Sequence, residues 1–167
     1  MPITGEHIRF YYSGGAKNKD PNKSIGGGRS TTEWAGSDLH DLFSKLSAEQ
    51  NAAEVQQYRC IYVANEHPEL SWLQVVAYFT EQSHRGASIE VGLDPAGSGA
   101  AQKLSHEQAA PQDVAFTPAP GAAEALQLGT VPPGTHLALW LRRTAHDTHE
   151  GLEADGAMLA LTGRYAE

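Results

Sequence analysis

The sequence predicts an all-β protein: a single β-sandwich, immunoglobulin-like or jelly-roll, with an extended Gly-rich N-terminal arm and one short helix. Two runs make the first case. Tyr58–Asn65 and Trp72–Thr80 are built from β-branched, aromatic and aliphatic residues, and Asn65, His67 and Pro68 lie in the turn between them. The second observation is recurrence, since seven or eight such short runs follow one another between turn signals, the pattern of a sandwich. No repeat at a fixed period argues for a solenoid or propeller. Strand order is not readable from strand count, although seven or eight strands lie closest to the immunoglobulin number.

A chain of 167 residues with 40% hydrophobic content holds one domain with a core and is too short for two substantial ones. The expected division is a first strand and basic Gly-rich arm over 1–30, then the sandwich over 31–167. The start, Met1-Pro2-Ile3-Thr4-Gly5-Glu6, lacks the apolar stretch of a signal peptide, and no apolar run reaches membrane-spanning length, so a soluble protein is expected. The lone Cys60 excludes an intrachain disulfide and reads as a buried, inert thiol.

Element by element, Ile8, Phe10 and Tyr12 alternate with His7, Arg9 and Tyr11 in a first strand. Ser13 to Arg29 carries five glycines, a proline and several Lys, Asn and Ser, a composition that cannot bury enough surface to fold alone. Ser30-Thr31-Thr32-Glu33 has the form of a capping box, and Leu39, Leu42, Phe43 and Leu46 fall at helical spacing, which places a short helix over 38–46. A further helical turn is expected at Ser47-Ala48-Glu49-Gln50. After the two central runs, Ile89, Val91 and Leu93 mark a half-exposed strand that ends at Asp94-Pro95-Ala96-Gly97. Gly97 to Ala123 reads as a long crossing loop whose strand candidate is Val114 to Phe116. Leu126 to Leu128, then His136 to Arg142 after the Val131-Pro132-Pro133-Gly134 turn, supply further strands. A polar loop from Thr144 to Asp155 leads to a closing strand over Ala157–Thr162.

Charge divides unevenly. The chain carries −8, yet residues 1–30 hold five basic and two acidic residues, a net of +3, while the remainder holds seven and eighteen, a net of −11. An acidic body argues against nucleic acid, whose binding rests on phosphate neutralisation. The basic segment suits an acidic surface, such as a neighbouring copy of the same chain. Arg9, Tyr11, Lys17, Lys19, Lys23 and Arg29 are therefore the candidate interface residues.

Catalytic and cofactor signatures are thin, and the expectation is no catalytic residue and no cofactor. Gly26-Gly27-Gly28-Arg29-Ser30-Thr31 lacks the lysine of a phosphate-binding loop. His146 and His149, three residues apart beside carboxylates, are the candidate metal ligands, although in a surface loop imidazoles ordinarily face water. Asp94 and Asp155 stand beside turn glycines without the Asp-x-Asp-x-Asp-Gly series of a calcium loop, so bonds to local amides are the expectation. Ala96-Gly97-Ser98-Gly99 lacks the spacing of a nucleophile elbow, and mid-strand Cys60 has no basic cluster beside it. Trp34, Trp72 and Trp140 suggest either core or a glycan-stacking platform.

The segments Ile8-Arg9-Phe10-Tyr11-Tyr12-Ser13-Gly14-Gly15, Asn18 to Gly27, Tyr58 to Asn65 and Ile89 to Asp94, with the Pro133-Gly134 turn and Trp140-x-Arg142-Arg143, resemble small virion structural proteins of tailed bacteriophages. The resemblance covers most of the chain and departs at Thr144–Asp155 and near residues 100–123. It implies a non-enzymatic structural protein on the particle exterior, decorating the capsid or forming part of the neck or tail, with a tail-fibre or glycan-binding module as the alternative and a metal-dependent hydrolase as the least favoured. The implied partners are other virion proteins and copies of itself in a homo-oligomer, with neither nucleic acid nor membrane. The implied location is the virion, assembled in the host cytoplasm.

Overall fold

The computed structural model describes residues 2–34, 42–43, 46–82, 87–146 and 157–165. Among the described residues ten strands run antiparallel to their partners: β1 (Ile8–Ser13), β2 (Gly26–Gly27), β3 (Arg29–Glu33), β4 (Gln56–Asn65), β5 (Trp72–Gln82), β6 (Ala87–Leu93), β7 (Ala101–Lys103), β8 (Leu126–Val131), β9 (His136–Ala145) and β10 (Ala157–Arg164). They form a five-stranded sheet in the order β3-β1-β4-β9-β6, a three-stranded sheet in the order β10-β5-β8, and the small pair β2-β7. The all-β class is as the sequence predicts.

The main core lies between the two larger sheets. Ile61 and Val63 of β4, Leu137, Leu139 and Leu141 of β9, and Ile89 and Val91 of β6 face Val75, Ala77 and Phe79 of β5, Leu128 and Val131 of β8, and Leu159 of β10. Each set follows the two-residue period that puts alternate side chains on one sheet face. The opposite face of the five-stranded sheet is covered as well. Tyr58, Cys60, Tyr62, Ala138 and Trp140 form a second cluster with Ala101 and Leu104, and Ile25, Val114 and Phe116 pack against it. β4 is therefore paired on both edges, covered on both faces and buried from Gln57 to Asn65, which explains its unbroken apolar character.

The second covering layer comes from stretches that look irregular in sequence. Ser13–Arg29 does not fold alone; it folds onto β4. β4 extends past the end of β1, and there the Cys60 N–H donates to the Ser24 carbonyl (2.7 Å) and the Tyr58 N–H to the Glu107 carbonyl (2.7 Å). The Cys60 carbonyl accepts the Ser13 hydroxyl (2.7 Å) and the Ser24 hydroxyl (2.6 Å). The Gly26–Gly27 pair then meets β7, with Gly26 opposite Lys103. Only glycine fits there, because φ is +103° and a Cβ at Gly26 would stand 1.9 Å from the Gln102 carbonyl oxygen.

Two expectations need correction or relocation. Ser30–Glu33 satisfies the pattern of a capping box but forms β3, with the Ser30 hydroxyl accepting the Thr32 N–H (3.0 Å) inside an extended chain. The helix expected over 38–46 falls largely outside the described residues; Leu42 and Phe43, which are described, are buried in the main core. Among the described residues, α1 (Ala48–Ala52) starts where the extra turn is expected, at a capping box between Ser47 and Gln50. Within the long loop, the strand candidate Val114–Phe116 ends beside Thr117, which forms a single bridge with Val91 of β6.

Gly26→Ala is expected to destabilise the protein by about 2 kcal/mol, from strain at positive φ and from the collision with β7. Gly28→Ala, where nothing lies within 4 Å of the added Cβ, is expected to stay within about 0.5 kcal/mol of the parent. Urea unfolding of both variants checks the contrast, and equal losses would remove the steric account of Gly26.

Candidate interaction surfaces

The buried ionisable groups hold the covering layer in place. Arg59, whose side chain is fully buried, donates to the Leu42 carbonyl (3.2 Å), the Tyr58 carbonyl (3.0 Å) and Asn22 Oδ1 (3.0 Å), and pairs with Glu107 (2.7 Å). Gln57 Nε2 donates to the other Glu107 oxygen (2.9 Å), and Gln57 Oε1 accepts from Arg143. Both guanidinium groups lie over the Phe43 ring, at 5.2 and 4.7 Å from its centre. Burial alone would push the Glu107 carboxyl up; the hydrogen bond and charge of Arg59, helped by Gln57 and Arg143, outweigh it and hold Glu107 below its ordinary value.

Asp94 plays the corresponding part at the other loop. Its carboxylate is buried and accepts the Ala96 N–H (2.8 Å), the Trp140 indole N–H (2.7 Å) and Gln102 Nε2 (3.3 Å). The local amide bond fits the expectation for a turn aspartate; the bond to Trp140 was invisible in sequence. The Tyr62 hydroxyl donates to the Gly27 carbonyl (2.5 Å) and accepts the Ala101 N–H (2.9 Å), which joins both loops to β4. Gly26-Gly27-Gly28 is thus part of this covering layer. Cys60 is buried and free, and burial pushes its thiol far up, away from reactivity.

The interface candidates divide into two groups. Arg9 is already paired with Glu33 (3.0 Å) and Glu66 (3.4 Å), and the Tyr11 hydroxyl donates to Glu66. Arg29 stacks over the Tyr11 ring at 4.7 Å. Those three residues brace β1, β3 and the turn after β4. Lys17, Lys19 and Lys23 are exposed and make no ion pair among the described residues. They ride on an ordered loop. Asn18 Nδ2 donates to the Ser13 (2.7 Å) and Asp20 (3.0 Å) carbonyls, Gly15 N–H donates to Gly28 O (2.9 Å), and Asp20 caps a 3-10 turn at Pro21–Lys23. Lys103 joins this surface through the β2–β7 pairing, which no local signal in the sequence reveals.

The remaining candidates are not assembled into a site. His146 lies at the end of β9, where its backbone carbonyl accepts Asn51 Nδ2 (3.0 Å), and His149 lies outside the described residues, as does Asp155. Among the described residues no group of three or more His, Cys, Asp or Glu is placed to hold a metal ion. Trp34, Trp72 and Trp140 are all buried, so they belong to the cores and do not form a stacking platform. A different surface feature replaces that platform: an open groove of about 530 Å³ on the outer face of the three-stranded sheet, lined by Gln74, Val76, Gln127, Thr130, Thr162 and Arg164.

No known protein family, no curated protein and no solved structure matches the chain.

Glu107 carries a pH dependence whose sign follows from its lowered pKa. A carboxyl that ionises more readily when folded adds stability above the unfolded value near 4.5, and that stability is lost as pH falls through the lower folded value. Glu107→Gln is expected to cost about 2 kcal/mol at neutral pH, because it leaves Arg59 without its carboxylate. It is also expected to flatten the acid limb of stability below pH 4.5, as read by thermal unfolding at stepped pH. An unaltered acid limb would place the titrating group elsewhere.

Proposed function

We propose that the protein is a non-enzymatic structural subunit on the exterior of a bacteriophage particle, decorating the capsid or forming part of the neck or tail and touching other virion proteins and copies of itself. The observation that carries this reading is the ordered lysine loop. Three exposed lysines, without an ion-pair partner among the described residues, stand on a loop that Arg59, Ser13 and Ser24 anchor to the central strand, while the rest of the chain carries a net −11. A fixed cationic patch on an acidic body favours contact with the acidic face of a neighbour, and fixing it beforehand lowers the ordering cost of docking. The resemblance of Ile8–Gly15, Asn18–Gly27, Tyr58–Asn65 and Ile89–Asp94 to tailed-phage virion proteins supports the particle as the setting. The ionisable groups beside the sheet add to it, because the buried Arg59 and Asp94 and the half-buried Glu107 are engaged in holding loops to the sheet.

Quantitative mass spectrometry of purified particles tests the reading. The expected result is a fixed ratio to the major capsid protein, near parity for capsid decoration and a small multiple of the tail symmetry for a neck or tail component. Absence from the particle overturns it. The combined variant Lys17→Glu, Lys19→Glu and Lys23→Glu is expected to fold normally and yet fall at least tenfold in its incorporation into particles.

A further inference from the structure

The two larger sheets end in four edge strands, and three of them carry devices that discourage pairing with another chain. β3 is irregular against β1 and bears Arg29 and Glu33, both already engaged. β6 is closed by Thr117, which exchanges two backbone hydrogen bonds with Val91 (3.0 and 2.9 Å). β8 has an extra residue between the partners of Val75 and Val76 and turns through Gly129 at φ +80°. Bulges, charges and covering segments are the usual means of blunting an edge.

β10 has no bulge of its own, no covering segment among the described residues and no charge before its last residue. Its two register shifts against β5 insert the extra residue into β5, so β10 itself runs regularly from Ala157 to Arg164. It contains no lysine or proline, and its single charge, Arg164, stands at its end. No backbone hydrogen bond beyond the β5 ladder reaches it among the described residues. The exposed large hydrophobic side chains among the described residues, Met158 and Tyr165, lie on this strand and just past it.

The geometry points to β10 as a two-fold pairing edge that takes β10 of a second copy, antiparallel, to continue β8-β5-β10 into a six-stranded sheet. A two-fold axis through Leu161 pairs every residue from Ala157 to Tyr165. It sets Met158 opposite Arg164 and Ala160 opposite Thr162 of the other copy, keeps outer-face residues together, and holds the two Arg164 side chains at opposite ends. The occupant is a second copy because this register lays outer face on outer face and keeps the strand's one charge, Arg164, away from its counterpart. This contact deepens the proposed self-association and adds to it a closed dimer.

The test is sedimentation of the purified full-length chain, which needs no particle and so fails or succeeds separately from the virion reading. A dimer is expected at tens of micromolar. Ala160→Lys with Thr162→Lys places like charges opposite each other and is expected to give monomer, as is Ala160→Glu with Thr162→Glu. Mixing the two folded double variants is expected to restore a dimer, with slowed amide exchange over residues 157–164. A monomeric parent, a dimer indifferent to the lysine pair, or a mixture that stays monomeric overturns the proposal. The three-lysine variant of the loop is expected to leave the dimer intact.

Discussion

The backbone of Cys60 is the point on which the rest of the structure depends. Its amide and carbonyl face a side of β4 that β1 no longer covers, and both are buried. A buried peptide group left without a partner costs several kcal/mol, so something must pair with it. Ser24 supplies a carbonyl and a hydroxyl, and Ser13 supplies a second hydroxyl. Those bonds turn a Gly-rich segment into a covering layer. Without them the second cluster, with Tyr62 and Trp140, would lose its roof on that side. The arrangement is economical in sequence: two serines on either side of a long loop fix the loop's base.

Charge then builds on this base. Arg59 is next to Cys60 and points to the other face, where it reaches Asn22 in the same loop and Glu107 in the other. A fully buried guanidinium has to meet its donors' needs on every side, and the four partners it finds belong to four separated segments. An ion pair with its cation buried and its carboxylate half-buried adds little net stability, yet it disfavours arrangements in which the loops sit elsewhere. The exposed lysines inherit their fixed positions from this buried arginine.

The strands were legible where one face meets the core and the residues alternate, as in β1, β6 and β10, or where both faces are covered and the run is continuous, as in β4. The covering layer was not. Ser30 and Glu33 mimic a helix start because a hydroxyl bonding an amide two residues on serves an extended turn as well as a cap. Gly26 gives no hint of its partner, since its pairing with Lys103 depends on a loop far away in the chain. For the candidate surfaces, composition singled out the lysines as a charged group. It could not separate them from Arg9, whose neutralising partners Glu33 and Glu66 come from two other elements. Edge status was equally hidden, because it follows from strand order and not from any strand's own residues.

The segment around Thr117 also has a mechanical meaning. Thr117 is hydrogen-bonded to β6 of one sheet, and two residues on, the Ala119 carbonyl accepts the Phe79 N–H of β5 in the other (2.9 Å). A stretch of three residues is thus riveted to both layers. Prising the layers apart along that seam must break hydrogen bonds at both ends of this short tie, and between the strands the bond from Asn65 Nδ2 of β4 to the Val131 carbonyl of β8 (2.9 Å) adds a second link. Under load the separation of β6 from β5 is therefore resisted by backbone hydrogen bonds as well as by side-chain packing.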